Sequence, residues 1–181
     1  PPPCTGNGYA DRAAAALPGD KAGDIADDKA ESCKLASHAY AQLSEIAYYE
    51  NDPVAVLHLT LLSAHEAQRC ASVPELSAAY GALAIAFGQM GLAGVARRYV
   101  QRALELAQSR PTEVNGIAYA HLLAMVFATS QCDWPLLDGS APVAETLYGE
   151  LGERFRVAAV HGMRITGATQ RGRYAEADDV L

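Results

Sequence analysis

One stretch constrains the fold more than any other: YGALAIAFGQMGLAGVARRYVQRALELA, from Tyr80 to Ala107. Tyr80, Leu83, Ala84 and Phe87 recur at three- and four-residue steps, which places them on one face of a helix. Met90-Gly91-Leu92 then interrupts the period at a glycine, the residue that turns a chain left-handed without a Cβ clash. Beyond it, Ala96, Val100, Ala103 and Leu104 form a second apolar stripe. Two helices joined by so short a turn lie antiparallel, and the small side chains at Ala84, Ala96 and Ala103 let their backbones approach.

A helical hairpin cannot bury its stripes alone, and the chain repeats this one. Tyr-x-x-Leu occurs at Tyr40 and Leu43, at Tyr80 and Leu83, and at Tyr119 and Leu122, so the tyrosines stand 40 and then 39 positions apart. The partner helices carry Ala64, Ala103 and Ala144 at nearly the same interval. These residues form the expected core of an all-α fold, an α-solenoid of antiparallel helix pairs with about seven to eight helices. It is expected to span residues 28–181 and to be cut short at its C-terminus. Residues 1–27 hold a proline run, Pro18-Gly19 and scattered acids, and read as a flexible linker or tail.

Local signals place the helix limits. Asp28 with Glu31 predicts the start of the first helix, which stops at Glu50-Asn51-Asp52-Pro53. Asp52 caps the second helix, with Pro53 at its first position. Ser72 and Glu75 flank Pro74 as a capping box for the third. Gly139 and Pro142 predict a break in the sixth helix, with its regular part from Ala141 to Leu151.

Composition narrows the function. Half of the 181 residues are hydrophobic and 19% are charged, which excludes a wholly disordered chain. The net charge of -7 repels phosphate backbones, so nucleic acid is not an expected partner. Cys4, Cys33, Cys70 and Cys132 are far apart and read as reduced thiols of a cytoplasmic protein. The uncharged run Leu76 to Ala96 is long enough for a bilayer, but its Gly and Ala content and its repeat pattern argue for a packed helix, and no membrane partner is expected. The chain opens on Pro1-Pro2-Pro3 without an initiator Met or a basic-then-apolar leader, and is expected to be a piece of a longer one.

No constellation in the sequence points to catalysis. His58 and His65 are seven apart beside Glu66 but lack a third ligand, so no metal site is expected. Cys70 follows His65 on another helix face, which leaves a Cys-His pair without local support. No G-x-S-x-G or G-x-x-x-x-G-K-[ST] occurs, and no cofactor is expected. Arg97, Arg98, Arg102 and Glu105 read as a solvated face with Arg102 paired to Glu105.

Tyr80, Leu83, Ala84, Phe87, Gly91, Ala96, Tyr99 and Ala103 resemble the tetratricopeptide repeat, with Pro111 displaced so that the period exceeds the usual one. The first copy carries Ser44 at the small site, and the third carries Leu123 there. The order of segments from Asp28 to Leu181, notably PELSAAYGALAIAFG then VARRYVQRALELA, also looks like the C-terminal helical region of large bacterial signalling proteins. Those carry a nucleotide cyclase or kinase domain followed by a predicted ATPase. The resemblance implies a non-catalytic protein–protein interaction or regulatory scaffold, with any catalytic part lying outside this segment. It also implies that the first helix of each pair lines a concave groove, with Ile85, Gln89, Ile117 and Phe127 as candidate lining residues. These offer no Lys or Arg to clamp a peptide carboxylate. The groove is expected either to be filled by neighbouring helices within the same polypeptide or to bind an amphipathic helix or apolar peptide.

Overall fold

The computed structural model describes residues 19–180, with side chains from residue 28 onward. The expected linker therefore lies largely outside the described residues. Eight helices and no strand are present among them: α1 Gly19–Tyr49, α2 Pro53–Arg69, α3 Val73–Gln89, α4 Ala93–Gln108, α5 Val114–Gln131, α6 Trp134–Glu150, α7 Arg154–Gln170 and α8 Tyr174–Asp178. Each helix packs on its sequence neighbours, and the odd helices also touch one another, α1 with α3, α3 with α5 and α5 with α7. The result is a two-layer α-solenoid of antiparallel hairpins, as expected.

The turns set the repeat. Asn51, Ala71, Gly91, Cys132, Gly152 and Gly172 all take positive φ, between 50° and 76°. After each, the next amide donates to the carbonyl five residues back. These bonds run from Asp52 to Ala47 (3.0 Å), Ser72 to Ala67 (3.1 Å), Leu92 to Phe87 (2.9 Å), Asp133 to Ala128 (2.9 Å), Glu153 to Tyr148 (3.0 Å) and Arg173 to Ala168 (2.9 Å). This is the Schellman closure, which satisfies a terminal carbonyl while reversing the chain. The turn residues are 20 apart, except that 41 positions separate Gly91 from Cys132. The vacant slot, 20 after Gly91, is Pro111. A proline ring holds φ near −65°, so this turn cannot close the same way. Instead Glu113 N–H donates to Arg110 O at 2.9 Å, the connection covers five residues (109–113), and the interval from Gly91 to Cys132 gains one residue over two regular periods.

That extra residue shifts the third repeat. Tyr40 and Tyr80 both stand 11 positions before their turn residue, but the residue 11 before Cys132 is His121, not Tyr119. Tyr119 sits half a turn away and faces the concave side. The 39-residue spacing in the sequence is thus a coincidence of two tyrosines in different environments.

Within hairpins, small residues bring the helices together. Ser37 Oγ donates to Ser63 O (3.0 Å) and Ser63 Oγ to Ser37 O (2.9 Å), joining α1 to α2. Forty positions on, Ser77 Oγ donates to Ala103 O (2.7 Å) between α3 and α4. Ala118 and Ala144 make the corresponding contact between α5 and α6 without hydroxyls, both fully buried. Between repeats, a Cβ on Gly81 would stand 2.7 Å from Leu123 Cδ1, so α3 and α5 approach as closely as they do only because residue 81 is glycine. Tyr99 stacks on Phe87 with centroids 5.4 Å apart and meets Tyr80 edge-on at 5.6 Å, closing the α3–α4 core.

Several expectations are corrected. α1 begins at Gly19, so Asp28 is inside a helix rather than capping one. Asp52 does cap α2, accepting from Val54 N (3.1 Å) and Ala55 N (2.9 Å). Ser72 forms no backbone capping box; its hydroxyl donates to the Glu75 carboxylate instead. α6 is continuous through Gly139 and Pro142. Pro142 removes the donor for Asp138 O, yet the helix runs on, with both residues exposed on its surface. Leu43 is 48% exposed rather than core, because no described helix covers that side of α1. The other expected core residues are buried or half-buried.

Ala71 occupies a conformation that costs a Cβ-bearing residue about 1 kcal/mol or more. Ala71→Gly should therefore raise unfolding stability by about 1 kcal/mol, and Gly91→Ala should lower it by a similar amount. Urea denaturation midpoints of the two variants check both signs.

Candidate interaction groove

The slot on the concave side is lined by the four odd helices together with Val56, Thr60 and Ser63 of α2. Successive turns of α3 contribute Ala78, Ala82 and Ile85, and of α5 Tyr119, Leu123 and Val126. α1 supplies Glu45, Tyr48 and Tyr49, and α7 supplies Phe155, Arg156 and Met163. The alanines make depth and the aromatics make height. Together they leave a cavity of about 150 Å³. An apolar cavity of that size accepts roughly one benzene-sized ring. A helix, about 10 Å or more across, does not fit inside it. Phe155 and Tyr49 stand at the mouth with 80% and 78% of their surface exposed.

The mouth carries opposite charges on its two walls. The Arg156 guanidinium lies 5.1 Å from the Tyr119 ring centroid, a cation–π contact that holds it over the groove. Glu45 belongs to the facing wall on α1. Burial, reinforced by the Glu45 carboxylate, pushes the Tyr119 phenol above its ordinary range, and burial does the same to Tyr48. Both tyrosines are therefore neutral hydrogen-bonding groups beside an apolar slot.

Of the residues expected to line the groove, Ile85 does so. Phe127 does not: it is 1% exposed and packs with Ala84, Ile85, Ala96, Val100 and Ala124 in the core between repeats. Gln89 is exposed at the end of α3, and Ile117 is half-buried near the start of α5; neither lines the slot. Sequence reasoning missed Glu45, Tyr48, Phe155 and Arg156, because a groove closed by four repeats depends on curvature that no single hairpin carries. The one available signal was Tyr119, whose distance from its turn breaks the repeat.

Elsewhere the chemistry is sparse. His58 and His65 are exposed on α2. Arg102 pairs with Glu105 at 3.2 Å as expected, whereas Arg97 reaches Asp133 at 3.0 Å; as exposed pairs they add little stability. On α6 and α7, Glu145 accepts from Arg164 (2.7 Å) and pairs with His161 (3.1 Å). The Tyr148 hydroxyl and His121 Nδ1 are buried without a hydrogen-bond partner among the described residues. Among those residues, no helix is long and apolar enough to cross a membrane.

No protein-family model, curated protein or solved structure matches the chain. The likeness to tetratricopeptide repeats thus rests on the sequence residues that carry it.

His121 gives a pH test of the register. Burial lowers its pKa from the ordinary 6.5. Above that value it is neutral in both folded and unfolded chains and contributes no pH dependence. Below it the unfolded chain takes up a proton that the fold excludes, so the stability contribution falls as pH drops. His121→Phe should remove this component, so the stability of the variant relative to the native chain should increase between pH 6.5 and more acidic values, as read by urea titration at each pH.

Proposed function

We propose that the chain is a non-catalytic protein-interaction and scaffold module whose concave groove receives one bulky apolar side chain of a partner segment. The observation that carries this reading is the shape of the slot: apolar, sized for a single ring, and set between exposed aromatics. The slot is narrower than a helix, so an enclosed partner helix does not fit. An amphipathic helix or an apolar peptide lying across the mouth and inserting one anchor does fit. Arg156 and Glu45 would orient it by charge at the two rims.

A wider reading places the module as a regulatory arm within a larger signalling protein bearing an ATPase or cyclase domain, in the cytoplasm. Its support is the sequence resemblance of the helical region, and the groove would then take a segment of the same polypeptide.

Indole tests the slot without an identified partner. Met163 lines the groove whereas Met125 is sealed in the α5–α6 core. Titrating indole to millimolar concentration should shift the Met163 methyl resonance and leave Met125 in place. Ala82→Phe, which fills the slot, should abolish the shift while the chain keeps its helicity. An unmoved Met163 signal would contradict the proposal.

A further inference from the structure

We propose that the slot reads charge on either side of its anchor, taking a segment whose one aromatic side chain is flanked by a cation toward α1 and an anion toward α7. This rests on the anchor reading above and names the chemistry of the occupant's flanks. The observation behind it is a pair of unmatched charges. Elsewhere among the described residues, each half-buried charged side chain has a polar partner. Glu66 pairs with Arg69, Asp133 with Arg97, Arg164 with Glu145 and Arg171 with Asp138, and Glu75 accepts from Ser72. Glu45 and Arg156 are the half-buried exceptions. Neither makes an ion pair with a described residue, and Arg156 rests on the Tyr119 ring, 5.1 Å from its centroid. Both line the slot. Taking a charge partly out of water without a partner costs free energy that nothing in the fold offsets. Two such charges of opposite sign at one apolar slot are therefore left open for what enters it.

The surroundings keep the two signs apart. Burial raises the Tyr119 phenol most; the Glu45 carboxylate adds to that rise and the Arg156 guanidinium opposes it, so both charges act on one ring. Beyond Glu45, the end of α1 and its turn add Glu50 and Asp52. Lys34 and His38 precede Glu45 by 11 and 7 positions, roughly 16 and 10 Å along the helix, beyond the screening length of physiological salt. Beside Arg156, the start of α7 adds Arg154 and Glu153, two cations against one acid, which leaves that wall positive. Neither α3 nor α5 contributes a charged residue to the slot. Side chains of an extended segment alternate between faces, so the residues two before and two after the anchor share its side and reach the rims. A cation there meets Glu45, and an anion meets Arg156.

Short peptides capped at both ends, with tryptophan at the centre, test this at low salt when titrated to millimolar concentration. Glycine adjoins the tryptophan, and the positions two residues away carry Lys and Glu, Lys and Lys, Glu and Glu, or Gly and Gly. The Met163 methyl resonance reports binding, since that side chain lines the slot. The native chain should take the Lys/Glu peptide several-fold more tightly than either like-charged peptide, the size of a partly screened ion pair, and high salt should erase the difference. Arg156→Glu should turn the preference toward Lys/Lys, and Glu45→Lys toward Glu/Glu. The Gly/Gly peptide should bind all three chains alike, which shows that slot and fold persist in the variants. Equal binding of every peptide by the native chain would overturn this inference and leave the anchor reading standing. So would a preference that does not follow the two charge reversals. Failure of every peptide, the glycine-flanked one included, to move the Met163 signal would overturn the anchor reading and this inference with it.

Discussion

The closed turn recurring every 20 residues is the constraint on which the remaining structure depends. A left-handed residue followed by an amide bonded five residues back reverses the chain in three residues. What remains of each period is a helix, and α2 to α7 all have 16 to 18 residues. Because the turn anchors each helix end, distance from the turn decides which way a side chain points. The position four before it is Ala47, Ala67, Phe87, Ala128, Tyr148 and Ala168 in turn, and all are buried or half-buried. Pro111 is the exception that shows the rule, since its ring forbids the turn and the register moves by one residue.

Close approach is the second consequence. Serine and alanine at matched heights hold each hairpin tight, and the buried hydroxyls of Ser37, Ser63 and Ser77 end on backbone carbonyls rather than being left unsatisfied. Gly81 does the same between repeats. Such packing uses up most of the concave side and leaves alanines at its floor. The slot beside Tyr119 is therefore a by-product of small residues meeting large ones, and its apolar character follows from the same stripes that build the core.

Much of the fold is legible in the sequence because its signals are local. Periodicity at Tyr80 to Phe87, the glycine at Gly91 and the Asp52-Pro53 cap each act within one helix or one turn. Failures occur where a distant or competing interaction decides. Leu43 matches Leu83 in pattern but has no preceding helix to cover it. Tyr119 matches Tyr80 in motif but not in distance from the turn. Pro142 carries a breaking signal, yet α6 runs on through it with Pro142 on its exposed side. Ala71 and Cys132 turn left-handed without glycine, so no residue type announced them; only the 20-residue spacing does. The groove was the least legible, since Glu45 and Arg156 face it from helices more than 100 positions apart.

Native-state hydrogen exchange on the turn amides tests the central claim most directly. The amides of Asp52, Ser72, Leu92, Asp133, Glu153 and Arg173 each donate to a helix carbonyl, whereas the amide of Thr112, which follows Pro111, makes no such bond. The six should be protected from exchange and Thr112 should exchange as an open amide does. Equal protection at Thr112, or free exchange at Ser72, Leu92 and Asp133, would contradict a fold set by this turn.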